Sequence, residues 1–219
     1  MNMNFNARYQ KVKKLFKSKY DPDKYWIEWG KRVRGGEEFE KRPHKLDVKM
    51  LRVNALLKLL DTRQFNSVLD FGCGWGFVSK FLLEKYKIDD YVAFDASPDR
   101  VIEAKEFLKD FNVELHTSML HTFKTDKKFD LVLGTGVLHH TKPEDIKNTM
   151  KHLVKYAKKD FIHDDPPPGY RSDSKIEKTT FNFFHDYKQI WQELGYDVNI
   201  IPIPDLHSRA IYHVKINQE

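Results

Sequence analysis

The chain has 219 residues, of which 40% are hydrophobic and 32% charged, and its formal net charge is +6. That length suits one α/β domain with a packed core and a modest extra element. A single cysteine, Cys73, excludes an internal disulfide framework. No apolar run approaches the ~20 residues that span a bilayer, and Met1–Tyr20 holds several lysines but no apolar signal core. A cytoplasmic protein without a membrane partner is expected.

The positive charge permits a polyanionic partner such as nucleic acid. The acids are nearly as numerous, 32 against 38 bases, and are interspersed with them. The densest basic stretches, Lys11–Lys19 and Lys31–Arg34, lack the aromatic interleaving of a single-strand groove. A solvated, lysine-rich surface is the simpler reading.

In chain order, Tyr9–Lys19 is a short amphipathic stretch, broken at Asp21-Pro22, and Gly35-Gly36 marks a loop. Pro43 is placed to open a helix to about Leu60, with Leu46, Met50, Val53, Leu56, Leu57 and Leu60 at helical spacing. From there strand and helix alternate. Strands are expected at 67–71, 91–94, 113–117, 129–133 and 161–163, with helices at 77–86, 98–110 and 143–158 between them. Ser97-Pro98 is a helix start. A helix at 184–194 ends at Gly195, and strands follow at 198–203 and 210–216. This alternation predicts a Rossmann-like, seven-stranded, mostly parallel sheet with helices on both faces. The two late strands predict an antiparallel edge pair, and the first 60 or so residues an N-terminal helical cap.

The first strand, Ser67-Val68-Leu69-Asp70-Phe71, runs into Gly72-Cys73-Gly74-Trp75-Gly76 and then a helix. Such a turn lets backbone pass close to a ligand, at the strand ends where open sheets bind. The dinucleotide fingerprint is G-x-G-x-x-G. Here the third glycine comes one residue early, and Asp70 precedes the turn. A carboxylate there crowds a pyrophosphate but suits a ligand bearing an ammonium and a sulfonium. Asp95 ends the second strand, about where an acid ~20 residues past the turn meets ribose hydroxyls in such folds.

The run Asp70–Gly76 resembles motif I of the class I S-adenosylmethionine-dependent methyltransferases. Phe94-Asp95 is similar to their ribose-binding acid, and Phe129–His140 to their fourth strand and its loop. The resemblance covers about Phe65 to Phe161. It implies an N-terminal cap or lid over residues 1–62 and a methyltransferase domain over 63–219, with S-adenosyl-L-methionine as cofactor. It also implies that Asp70, Gly72 and Gly74 hold the methionine part; Cys73 and Gly76 complete the cofactor-binding turn, and Cys73 by itself reads as a small packing residue beneath it. Asp95 would hold the ribose and Ala96 lie near the adenine. Ser118-Met119 stand where the family often has an acid and a small residue, and Gly134 and Thr135 would line the floor.

A sulfonium methyl is already activated, so the protein supplies position, desolvation and sometimes a base. His139 and His140 follow the fourth strand and are candidate bases; the alternative is that His139 packs the loop. Asp165-Pro166-Pro167 has letters in common with the D/N-P-P-Y motif of amino-methylating enzymes. That motif belongs after the fourth strand. Here the triplet follows the fifth and lacks the aromatic, so it reads as a rigid loop shaping the acceptor pocket, with Asp165 a candidate catalytic residue. Asp130 reads as structural. Tyr25, Trp26 and Trp29 are candidates to cover the cleft, and His185, Tyr187, His207 and Arg209 to reach it from above. No zinc spacing is present. Methyl transfer to an O or N atom of a small-molecule acceptor is the leading expectation. An RNA or protein methyltransferase, an aminopropyl transferase and a non-catalytic cofactor-binding module are the alternatives.

Overall fold

The computed structural model describes residues 20–32, 43–168 and 182–216. The expected helix at 9–19 and the loop at Gly35-Gly36 lie outside them. Helices α1 (Pro22–Arg32) and α2 (Pro43–Leu60) precede β1 (Ser67–Phe71), α3 (Phe77–Lys85), β2 (Asp90–Asp95), α4 (Pro98–Phe107), β3 (Glu114–Thr117) and β4 (Phe129–Thr135). A single 3₁₀ turn (Leu138–His140), α5 (Ile146–Val154), β5 (Ala157–Asp165), α6 (Tyr187–Glu193), β6 (Val198–Pro202) and β7 (Ala210–Lys215) complete the order.

The seven strands form one sheet in the order β3-β2-β1-β4-β5-β7-β6. β1 pairs in parallel with β2 and β4, and β4 with β5. β7 pairs antiparallel with both β5 and β6, as consecutive strands without a crossover helix require. The chain leaves β1 toward β3 on one side and returns to β4 on the other. A crevice therefore opens at the carboxyl ends of β1 and β4, the ligand-binding position of doubly wound sheets.

Neighbouring strand residues face opposite layers, as the two-residue period dictates. Leu69, Val132 and Phe161 join α5 and α6 in one core, with Met150, Leu153 and fully buried Trp191. Val68, Leu131 and Ile162 join α2 and α3 in the other, with Val53, Leu56, Leu60 and Leu82. α2 thus packs directly on the sheet.

Several boundaries differ from expectation. The helix read at 143–158 is Ile146–Val154, and β5 begins at Ala157, well before residue 161. The two-lysine run Lys158-Lys159 resembles a helix surface, but Ala157 pairs with Phe129 across the sheet, and buried Tyr156 donates its hydroxyl to the Phe123 carbonyl at 2.9 Å. The late helix starts at Tyr187 because the Asp186 carboxylate caps it, accepting the Gln189 N–H at 3.0 Å.

Candidate active site

A cavity of about 900 Å³ opens at the carboxyl ends of the central strands. It lies at the upper end of the ~300–1,000 Å³ typical of small-molecule sites, with room for a nucleoside-sized ligand and a second molecule. Its walls come from the glycine turn after β1, the β2–α4 junction, the segment after β3, the loop after β4, and helices α1 and α2.

The glycine turn is built to present backbone. Gly72 and Gly74 sit at φ +67° and +59°, the left-handed region that a side chain disfavours. A Cβ on Gly72 would strike Val137, whereas one on Gly74 would meet nothing. Open space therefore lies directly against the Gly74 main chain. The turn is pinned from below, since the Gly72 and Cys73 N–H groups both donate to the Phe94 carbonyl, at 2.8 and 3.1 Å.

Asp95 stands on the cavity wall. One carboxylate oxygen accepts the Gly74 N–H and the other the Ser97 N–H, each at 2.9 Å. Each oxygen keeps a lone pair for a ligand hydroxyl. Burial pushes this carboxyl up, against the pull of the two N–H groups. Ala96, Ser118, Met119 and Thr135 also line the cavity.

Four residues of the expected set lie behind the wall. The Asp70 carboxylate points into the protein, accepting the Ser79 hydroxyl at 2.7 Å and the Tyr91 hydroxyl at 3.0 Å. Burial pushes it up to about 6. Asp70 therefore ties the turn to α3 and β2. Cys73 packs with the α2–α3 layer, and burial pushes its thiol up. Gly76 opens α3 against Leu108, and Gly134 passes beneath the Phe71 ring, where any Cβ would overlap it.

The candidate bases separate in the same way. His140 lines the cavity, its ring 4.4 Å from Trp26 and 3.8 Å from His139. His139 and Asp165 are buried away from it, at 2% and 0% exposure. Asp165 is the centre of a fixed network. The Trp191 indole can only donate, so His163 Nε2 accepts it at 3.2 Å and the His163 proton sits on Nδ1, donated to Asp165 at 2.8 Å. The other Asp165 oxygen accepts the His139 main-chain N–H at 3.1 Å and its Nδ1–H at 2.6 Å. Burial pushes the Asp165 carboxyl up, but these two imidazoles outweigh it and hold it well below the usual carboxylate range. Burial, with the Arg209 guanidinium beside it, holds the His139 imidazole down to about 4. His139 and Asp165 thus frame the loop that carries His140.

Several wall residues carried no signal in the sequence. Arg52 on α2 lines the cavity and forms a two-pronged pair with buried Asp164 at the end of β5, at 2.9 and 3.1 Å. Lys49, His121 and Asn148 also reach the wall. Trp26 and Trp29 do so from α1, as the sequence suggested, and α1 rests on α4 through Gly30, which touches Ser97. Asp130 holds a loop, accepting the Asn66 N–H at 3.2 Å. Among the described residues no group of three or more His, Cys, Asp or Glu is placed to hold a metal ion.

The methyltransferase domain family matches residues 68–160. The malonyl-[acyl-carrier protein] O-methyltransferase of Acetivibrio thermocellus is 29% identical over 111 residues, covering 50% of this chain and 38% of that protein. The Priestia megaterium protein of the same name is 25% identical over 160 residues, covering 71% of this chain and 55% of that one. The chain thus spans about half the length, or less, of these curated relatives. The N-methyltransferase NodS from Bradyrhizobium japonicum WM9, solved with S-adenosyl-L-homocysteine, superposes with a TM-score of 0.68 at 13% identity, covering 90% of this chain and 100% of that chain. Over residues 68–160 in sequence, and over most of the chain in fold, this protein is similar to the class I S-adenosylmethionine-dependent methyltransferases.

Proposed function

We propose that this protein transfers the methyl group of S-adenosylmethionine to an O or N atom of a small-molecule acceptor. The observation that carries this reading is the coincidence, on one cavity wall, of bare Gly74 backbone and the Asp95 carboxylate. The residues present fit the cofactor. Gly72 and Gly74 leave room for its methionine part, Asp95 offers two free lone pairs to ribose hydroxyls, and Ala96, Ser118 and Met119 form the adjoining wall. When bound, the cofactor supplies an electrophilic methyl carbon on a sulfonium. The chain's own residues then orient the acceptor and exclude water. Trp26 and Trp29 on α1 close one side, and His140, beside Trp26, puts an imidazole on the same wall. His139 and Asp165 act as positioning residues behind it. Relatives named for O-methylation and a fold neighbour named for N-methylation support either acceptor atom.

Calorimetric titration with S-adenosylmethionine and S-adenosylhomocysteine tests the reading. Saturable one-to-one binding of both is expected. A folded protein that binds neither sinks it.

A further inference from the structure

Two guanidinium groups converge beside Gly136, that of Arg52 on the cavity wall and that of Arg209 next to it. Gly136, after β4, lines the cavity, and the position of a Cβ on Gly136 lies 2.6 Å from Arg52 Nη2 and 3.5 Å from Arg209 Nη1. Only the missing side chain leaves this space open. The two arginines differ in their partners. Arg52 is matched by Asp164. Arg209 lies flat on His139, Nη1 3.3 Å from Nδ1 and Nη2 3.4 Å from Nε2. It has no carboxylate within ion-pair distance among the described residues. The nearby carboxylates are spent: Asp164 on Arg52, Asp165 on two imidazoles and a main-chain N–H.

A second observation points the same way. Tyr187 is fully buried, yet its hydroxyl finds no hydrogen-bond partner among the described residues. Arg209 is among the charges that act on it. The hydroxyl of Tyr212, whose ring lies 4.9 Å from that of Tyr187, is equally without a partner. Buried donors without acceptors are costly and rare in folded proteins. Here the Tyr187 ring packs between those of His163 and Tyr212, within reach of the Arg209 charge.

We propose that Arg209 and Arg52, with the Tyr187 hydroxyl, form a receptor for a carboxylate on the acceptor, so that the acceptor class is an organic acid. This rests on the methyltransferase reading. A guanidinium pair binds a carboxylate by charge-assisted hydrogen bonds and repels an ammonium. The arrangement also matches the frame behind it, because a carboxylate already offers a lone pair and needs no base. His139 and Asp165, both sealed off from the cavity, are then free to be structural.

The test is NMR of the arginine Nε–H groups, with S-adenosylhomocysteine present and ionic strength held constant. The probes are succinate and its uncharged counterpart succinamide. Succinate is expected to move the Arg209 and Arg52 resonances saturably, and succinamide to leave them still. Arg209→Gln should weaken succinate binding at least 10-fold and Tyr187→Phe several-fold. Both variants should bind S-adenosylhomocysteine within two-fold of the parent. Unmoved resonances, equal response to succinamide, or an unchanged Arg209→Gln titration overturns the proposal. Failure of S-adenosylhomocysteine to bind the parent protein overturns the methyltransferase reading instead, and the succinate titration still reads the receptor on its own.

Discussion

Asp70 and Asp95 are both carboxylates on adjacent strands, yet their surroundings give them different work. Asp95 is the last residue of β2, so its side chain clears the sheet and reaches the cavity while accepting two main-chain N–H groups. Asp70 lies within β1, one residue short of the strand end, and is held by two hydroxyls inside the protein. Asp95→Ala removes hydrogen bonds from a ligand and loosens the Gly74 N–H. Hydrogen bonds to a charged group contribute about 1.5–3 kcal/mol each, so affinity for S-adenosylhomocysteine should fall roughly 10- to 100-fold. Calorimetry checks this, and an unchanged affinity removes Asp95 from the site. The sequence marked both acids through their place around the glycine turn. It could not separate them, because which way a strand-end side chain points depends on the neighbouring strands. The same limit explains His139 and His140. Adjacent in sequence, they are divided by the 3₁₀ turn into one buried ring and one wall ring.

At the scale of elements, α1 is the piece whose position bears most on function. Its start was legible as a break at Asp21-Pro22. The Asp21 carboxylate accepts the Asp23 and Lys24 N–H groups at 3.2 and 3.4 Å, with proline at the first helical position. Where it docks was not legible, because the contacts are few and distant in sequence. Gly30 touches Ser97, the Trp26 ring meets that of His140 at a tilt of 55°, and Trp26 donates its indole N–H to the Tyr20 hydroxyl at 2.9 Å. Gly30→Leu forces the helix away from α4, since even a Cβ there overlaps the Ser97 side chain. The expected result is a roughly 10-fold faster release of S-adenosylhomocysteine, about 1.4 kcal/mol of lost cover, with little change in melting temperature. Stopped-flow tryptophan fluorescence reads this directly, as Trp26 and Trp29 both face the cavity. A release rate equal to that of the parent would show that α1 does not cover the bound ligand.

Across the whole molecule, periodicity made the sheet legible, because buried parallel strands are written as short apolar runs separated by helices. The long-range side-chain contacts were not. Arg52 meets Asp164 and Arg209 meets His139 only because the fold brings distant segments together. Long-range placement also sets two buried titrations against each other. The Asp70 carboxyl, ordinarily near 3.8, is pushed up to about 6 by burial, and the His139 imidazole, ordinarily near 6.5, is held down to about 4 by burial and Arg209. Each displacement corresponds to about 3 kcal/mol. Above pH 6.5 the folded state carries the full cost of ionised, buried Asp70, and His139 is neutral whether folded or not. As pH falls from about 6 to 4, Asp70 takes up its proton in the folded state first, which stabilises the fold. From 6.5 to about 4 the unfolded chain protonates His139 while the folded state does not, which destabilises it. The two slopes oppose each other and nearly cancel. Asp70→Asn fixes the neutral form and removes one of them. The variant should be more stable than the parent by up to about 3 kcal/mol at pH 7.5, with the difference vanishing near pH 4. Its own stability should fall on acidification where that of the parent stays flatter. Urea unfolding of both proteins at pH 7.5, 5.5 and 4 measures the difference. A gap that does not change with pH would mean that Asp70 does not titrate in this window, and that the two hydroxyls hold it ionised throughout.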